Sequence, residues 1–204
     1  MNKIKVGIID YKIGNHYSVK RIFKELGCET VISSDIYQLK KSNLLVLPGV
    51  GTFPYAMQKL KELKLDFFIK KWAAEKKYLL GICLGMQLLC DSSKECFKSK
   101  GLGIIPGEVI PIKNSKFHIG WNSIKILKKN KMYHDFHNNY FFFNHSFMYN
   151  GTSNYEIAKT KLDIKIPAII CNNNTFGFQF HPEKSQLTGK FLLEYFLKSI
   201  RNVD

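Results

Sequence analysis

The sequence predicts a single α/β domain with a central, mostly parallel sheet flanked by helices and extended by antiparallel strands. Two patterns carry this prediction. Short, wholly apolar runs alternate with amphipathic helical stretches through the first half, as parallel strands buried on both faces require. After about residue 101 the pattern changes to short β-type runs separated by Asn, Gly and Lys. A chain of 204 residues, 45% hydrophobic and 14% aromatic, can bury a core. It fits one compact domain over residues 1–204, with no repeat or Pro/Gly/Ser-rich linker to divide it.

The elements follow in order. Residues 3–9 form an apolar strand. Val19, Ile22, Phe23 and Leu26 recur at helical spacing up to Gly27, a favourable residue just past a helix end. Residues 30–33 and 44–47 are the next strands, and the latter ends at Pro48-Gly49-Val50-Gly51. Residues 52–63 read as helix with Pro54 in the first turn, where a missing N–H does no harm. Residues 66–76 are helical, 78–82 are a fourth apolar strand, and 84–90 return to helix. Runs at 104–112, 122–126, 140–143, 155–159, 166–171 and 176–180 extend the same sheet antiparallel. A final helix over 188–200 carries the stripe Leu192, Leu193, Phe196, Leu197 and Ile200, with Thr188 expected as its N-cap.

Charge and cysteine usage exclude several classes. There are 31 cationic against 16 acidic residues, a net +15, and all the cations but Arg21 and Arg201 are lysine. Readers of base edges lean on the planar fork of arginine. Scattered lysines, with short clusters such as Lys125, Lys128, Lys129 and Lys131, describe a solvated surface and no nucleic-acid site. No apolar run approaches the ~18 residues that cross a bilayer, and the opening run ends in Asp10 without a small-residue cleavage site, so no membrane association is expected. Five scattered cysteines without a C-x-x-C pair argue against disulfides or zinc and for a reducing cytoplasm.

Ligands of open α/β sheets bind beyond the carboxyl ends of the strands. One turn there is Gly81-Ile82-Cys83-Leu84-Gly85, a reactive residue flanked by glycines between strand and helix. This is a nucleophile elbow with sulfur in place of oxygen, at a helix start whose dipole favours thiolate. A nucleophilic thiol needs a base, and the base needs a partner to hold its tautomer. Of the six histidines (His16, His118, His134, His137, His145 and His181), only His181 leaves a strand end directly ahead of a carboxylate, in His181-Pro182-Glu183. Cys83, His181 and Glu183 therefore make the candidate triad. The loop Pro48-Gly49-Val50-Gly51 offers amides that can turn toward a developing oxyanion, together with the N–H of Leu84. The Val50 and Leu84 amides are the expected oxyanion donors.

Taken together, these stretches resemble class I (triad) glutamine amidotransferases, and most closely the glutaminase subunits of imidazole glycerol phosphate synthase. The matching segments run nearly end to end: Ile9-Asp10-Tyr11 with Gly14-Asn15, the loop 47–53, the elbow 80–89, Gly101-Leu102-Gly103, Gly120-Trp121-Asn122, His145-Ser146, and 179–186. Three positions depart from the family pattern: Lys12 for Gly, Phe117 for Pro, and Phe147 for Tyr. The resemblance implies a flavodoxin-like amidotransferase fold and glutamine hydrolysis through a Cys83 thioester. Gly51, Gln87, Ser146 and Phe147 would lie against the glutamine, with no metal or organic cofactor. It also implies a heterodimer with a separate (β/α)₈ cyclase subunit that receives the ammonia, since a barrel of ~250 residues does not fit in this chain. Trp121 and Lys184 would meet that partner. Two other readings stay open from sequence: a glutaminase feeding another acceptor, such as a sugar-modifying amidotransferase, and a basic nucleic-acid-binding module, which the intact triad disfavours.

Overall fold

The computed structural model describes residues 3–113, 117–127 and 131–201. Lys128 and Lys129, named above as part of a lysine cluster, lie outside the described residues. The first half is a βα alternation: β1 (Lys5–Ile9), α1 (His16–Glu25), β2 (Glu29–Ser33), α2 (Ile36–Leu39), β3 (Leu44–Leu47), α3 (Phe53–Glu62), α4 (Leu65–Ala74), β4 (Tyr78–Ile82) and α5 (Leu84–Leu88). The second half holds β5 (Cys90–Ser93), β6 (Ser99–Lys100), β7 (Ile105–Pro111), β8 (His118–Ile126), α6 (Lys131–His134), β9 (Tyr140–His145), β10 (Phe147–Asn150), β11 (Glu156–Lys161), β12 (Lys165–Asn172), β13 (Thr175–Phe178) and α7 (Gln186–Arg201).

The main sheet runs β2-β1-β3-β4-β13-β12-β11-β8-β9. From β2 to β13 every pairing is parallel, and from β13 to β9 every pairing is antiparallel. Successive residues of the parallel strands feed opposite faces, as the two-residue strand period demands. Ile8 and Val46 join Val19, Phe23 and Phe196 on one side. Ile9, Leu45 and Leu47 join Met57, Leu60 and Trp72 on the other. Trp72 Nε1 donates to the Tyr78 carbonyl at 3.0 Å, tying α4 to β4.

Three expectations change. The run at 104–112 leaves the main sheet: β7 pairs with β10 and β5 in a second sheet ordered β10-β7-β5-β6. The chain passes from one sheet to the other at Ser146, between β9 and β10. The elbow helix stops at Leu88, because the Cys90 segment turns into β5 and pairs with β7. The last helix starts at Gln186, so Thr188 lies inside its first turn rather than capping it. Among the described residues, no helix is long and apolar enough to cross a membrane.

Among the glycines, the closest backbone approach lies where α5 meets β3 and β4. A Cβ on Gly85 would stand 1.7 Å from the Leu47 carbonyl oxygen, and one on Gly81 would stand 2.6 Å from the Gly85 oxygen. Both neighbours are backbone and cannot turn aside. Gly85→Ala is therefore expected to cost about 3 kcal/mol or more by overpacking. Gly27→Ala, with φ +79° but open space around it, should cost only the ~1–2 kcal/mol of a left-handed residue. Urea unfolding of both variants against the parent chain checks the ordering.

Candidate active site

The loops that leave β1, β3, β4 and β13 converge at the carboxyl end of the parallel strands, because these four strands are neighbours. They carry Asn15, Val50 and Gly51, Cys83, and His181 with Glu183. All three members of the candidate triad come together there.

Cys83 adopts φ 54° and ψ −111°, a conformation a non-glycine residue holds only when its surroundings impose it. Its N–H donates to the Phe178 carbonyl at 2.8 Å, fixing the turn against β13. Its sulfur contacts the Asn144 carbonyl at 3.6 Å. Cys83 is 6% exposed and lines the cleft in front of it.

His181 and Glu183 lie behind the sulfur with side chains 1% and 0% exposed. Nδ1 of the imidazole and Oε1 of the carboxylate are 2.7 Å apart. The Asn15 amide donates to the same carboxylate oxygen, and Ser185 Oγ donates to the His181 carbonyl at 2.7 Å. The His181 N–H reaches the Phe142 carbonyl at 2.9 Å. The carboxylate and the His181 backbone are thus anchored from three segments, and the buried Nε2 has no hydrogen-bond partner among the described residues. Burial pushes the imidazole pKa down, but the Cys83 sulfur and the Glu183 carboxylate overcome it and hold the ring up to about 10. A protonated imidazole beside sulfur can stabilise thiolate and can hand a proton to a leaving nitrogen.

The cleft in front of the sulfur has a volume of about 230 Å³ and is lined by Val50, Gly51, Cys83, Leu84, Gln87, Glu95, Asn144, His145, Ser146 and Phe147. Every residue expected at the glutamine pocket or oxyanion hole is among them. The two glycines of the 48–51 loop differ in kind. A Cβ on Gly49 would stand 2.5 Å from Tyr11 Oη and 3.0 Å from Leu84 Cβ, so Gly49 is wedged. Tyr11 Oη also donates to the Pro48 carbonyl at 2.7 Å. Gly51 has φ +100°, and a Cβ there would meet only Ile13 Cγ2 at 3.9 Å, so its constraint is the backbone conformation rather than packing.

Gln87 Nε2 donates to the Phe147 carbonyl at 3.0 Å and to Gln179 Oε1 at 3.2 Å. At Phe147 the backbone makes this contact, so it does not depend on a tyrosine hydroxyl at that position. Lys12 has φ 69°, which explains why glycine suits that position, and its N–H and Nζ both bond Asp10. Phe117 is 59% exposed. Trp121 is 46% exposed and meets Phe142 edge-on at 6.1 Å, while Lys184 Nζ lies 5.9 Å from the same ring. Asn15, Glu95, Asn144 and Gln179 belong to the site but were not singled out in sequence. Asn15 follows Gly14 in one matching segment and Gln179 opens another, both usable signals; Glu95 and Asn144 carry none. Among the described residues, no group of three or more His, Cys, Asp or Glu could hold a metal ion.

The raised imidazole has a consequence for stability. A group whose pKa rises on folding stabilises fully below its unfolded value, and that stabilisation is lost as pH climbs through the folded value. For His181 the window runs from the ordinary 6.5 up to about 10. The parent chain should therefore lose more unfolding free energy between pH 6 and 10 than Glu183→Gln, whose ring has lost its carboxylate. Urea unfolding at both pH values measures the difference, in which the shared lysines cancel.

The comparisons agree with this geometry. The family model "Glutamine amidotransferase class-I" matches residues 7–200. The "Imidazole glycerol phosphate synthase subunit HisH" of Lactococcus lactis is 46% identical over 200 residues, covering 96% of this chain and 99% of that protein. The protein of the same name from Caldanaerobacter subterraneus is 42% identical over 200 residues, covering 96% and 98%. Among solved structures, a chain in the structure of PurLQS from Thermotoga maritima superposes with TM-score 0.77 at 21% identity, covering 99% of each chain. A glutamine amidotransferase from the same organism gives 0.67 at 20%, covering 100% and 87%. These two support the fold alone. The chain belongs to the class-I glutamine amidotransferase family and, within it, to the HisH subunits of imidazole glycerol phosphate synthase.

Proposed function

We propose that this chain is the glutaminase half of a two-subunit synthase, with residues 1–204 acting as a single amidotransferase domain in the cytoplasm. The observation that carries the reading is the Cys83 sulfur lying beside a buried, carboxylate-paired His181, with a cleft of about 230 Å³ in front of the sulfur. Cys83 thiolate adds to the side-chain carbonyl carbon of glutamine, and the Val50 and Leu84 amides take up the oxyanion charge. His181 gives its proton to the departing nitrogen, the C–N bond breaks, and ammonia leaves a thioester. Water, deprotonated by His181, then cleaves the C–S bond to release glutamate and restore the thiol. Glu183 keeps the ring oriented and balances its charge. Glu95, whose Oε2 accepts the Phe53 N–H at 2.6 Å, is the carboxylate in the cleft wall and suits the substrate's ammonium group.

The ammonia passes to a separate cyclase subunit that forms the imidazole ring; the relatives' names, each a subunit of a synthase, support a partner chain. Support comes from β8, which presents Ile119 and Trp121, 65% and 46% exposed, beside Lys184. An apolar strip with a cation at its margin, adjoining the catalytic histidine through Phe142, is a surface that a protein partner would cover.

Cys83→Ala is expected to abolish glutamine-dependent turnover by at least about 10⁴-fold while leaving the complex able to use free ammonium. Retention of most glutamine-dependent activity would remove Cys83 from the mechanism. Glu183→Gln should be milder than loss of the thiol, since it disturbs orientation only.

At the seam, Lys184→Ala and Trp121→Ala should leave the fold intact and weaken coupling, so that ammonia escapes. Glutamate formed per cyclised product should then rise above one. A ratio held at one in both variants, with unchanged complex affinity, excludes a docking role for these residues.

A further inference from the structure

We propose that His118 and His145 form a one-way hydrogen-bond relay that sets the polarity of the substrate cleft. The relay holds the Phe147 carbonyl and, through it, turns the Gln87 amide so that oxygen rather than nitrogen remains for the substrate. Its substrate rests on the glutaminase reading above, whereas its geometry does not.

The direction of the relay follows from its last member. The Phe147 carbonyl can only accept, so His145 Nδ1, 2.8 Å away, carries a hydrogen. His145 Nε2 and His118 Nδ1 are 3.0 Å apart. Burial pushes both rings well below the usual histidine range, to about 3 and about 4, so each holds one proton. With its proton on Nδ1, His145 offers a lone pair at Nε2, and His118 must donate from Nδ1. His118 Nε2 is then an acceptor, and Asn122 Nδ2 supplies the donor at 3.3 Å. The Asn122 amide is itself fixed. Its oxygen accepts the Ser123 N–H at 2.8 Å, and its nitrogen also donates to the Lys161 carbonyl at 2.9 Å. Every link points from β8 toward the cleft. Reversing one link would set two lone pairs or two hydrogens head to head in a dry interior, where an unmatched polar group is costly.

The polarity passes on to Gln87. The Phe147 carbonyl accepts both His145 and Gln87 Nε2, and the second hydrogen of that nitrogen goes to Gln179 Oε1. An inverted Gln87 amide would bring its oxygen against the Phe147 oxygen at hydrogen-bond distance. Both N–H groups are therefore committed inside the protein, and what Gln87 contributes to the cleft is an acceptor. Such a wall takes an N–H donor, which glutamine provides in its amide and its ammonium group. His118 and His145 are positioning residues in this account.

Nitrogen-15 spectra of the full chain, labelled at histidine and recorded at pH 7, test the relay directly. The expected signature is two buried histidines, each protonated at Nδ1 and bare at Nε2; an Nε2–H on either ring overturns the proposal. The functional arm is His118→Phe, which keeps a flat ring against Phe143, stacked at 4.3 Å in the parent chain, but removes both nitrogens. In the assembled complex, KM for glutamine should rise about tenfold with kcat changed less than threefold, and iodoacetamide should alkylate Cys83 at the parent rate. Unchanged KM, with or without a fall in kcat, overturns the proposal. If His118→Phe does not fold, the spectra decide alone. A parent complex that fails to hydrolyse glutamine would sink the glutaminase reading while leaving the tautomer result to stand.

Discussion

The first turn of α5 rests on the backbone of β3 without an intervening side chain, and the site depends on that contact. Gly85 lies so close to the Leu47 carbonyl, and Gly81 to Gly85, that only hydrogen fits at either position. This closeness forces the chain to reverse within one residue, and Cys83 takes the positive φ that the reversal needs. The strain of about 1–3 kcal/mol is offset by the apolar residues on both faces of the sheet, among them Ile82, Leu80, Met86 and Leu88. It has a use, because a relaxed strand-to-helix turn would not lift the sulfur off the strand end. The helix that follows has only five residues. Little helix dipole therefore acts at this elbow, and the cation beside the sulfur is the buried imidazole.

Burying a histidine and a carboxylate is costly unless each is paired. Here the pairing is assembled from remote segments. Asn15 comes from the loop after β1, the Phe142 carbonyl from β9, and Ser185 from the turn before α7. Ser185 Oγ also accepts the Phe142 N–H at 3.0 Å, so one hydroxyl ties the last antiparallel strand to the catalytic turn. The aromatic layer beneath supports the arrangement. Phe180 stacks on Phe141 at 4.2 Å and on Phe178 at 5.4 Å, and Phe178 packs on Phe196 at 6.1 Å. Each buried phenylalanine contributes about 1.5–3 kcal/mol by area.

The parts visible in the sequence are those encoded by local chemistry. β1, β3 and β4 read clearly because a strand covered on both faces is apolar without interruption. The candidate triad is legible locally because a strained elbow needs nearby glycines, and His181 and Glu183 sit two residues apart. The second sheet is not, since β5 (Cys-Asp-Ser-Ser) and β6 (Ser-Lys) are short and polar. They are strands only because β7 offers β5 an edge and β5 in turn pairs with β6. Asn144 works through its backbone carbonyl, and the Gln87–Gln179 pair spans 92 residues. No local pattern signals either. Lys12 shows the opposite case, where a residue unsuited to a left-handed turn is kept there by bonds from its N–H and Nζ to Asp10.

β9 is an edge strand of the main sheet, yet it touches both the thiol turn and the histidine turn of the site. Its alternation sends Phe141 and Phe143 into the core and leaves Phe142 partly exposed. The Phe142 ring meets Trp121 and Lys184, while its backbone holds His181 and Ser185. At its end, Asn144 contacts the Cys83 sulfur and His145 begins the wall of the cleft. A body that covers Trp121 therefore bears on the strand that sets the position of both nucleophile and base. Ladder bonds to β8 on one side and the hydroxyl of Ser185 on the other leave that strand little freedom to move alone. A shift of β9 along its length would carry the Phe142 carbonyl away from His181 and the Asn144 carbonyl away from Cys83 together. The candidate thiol and the candidate base are thus tied to one edge strand, so a load on that edge bears on both together.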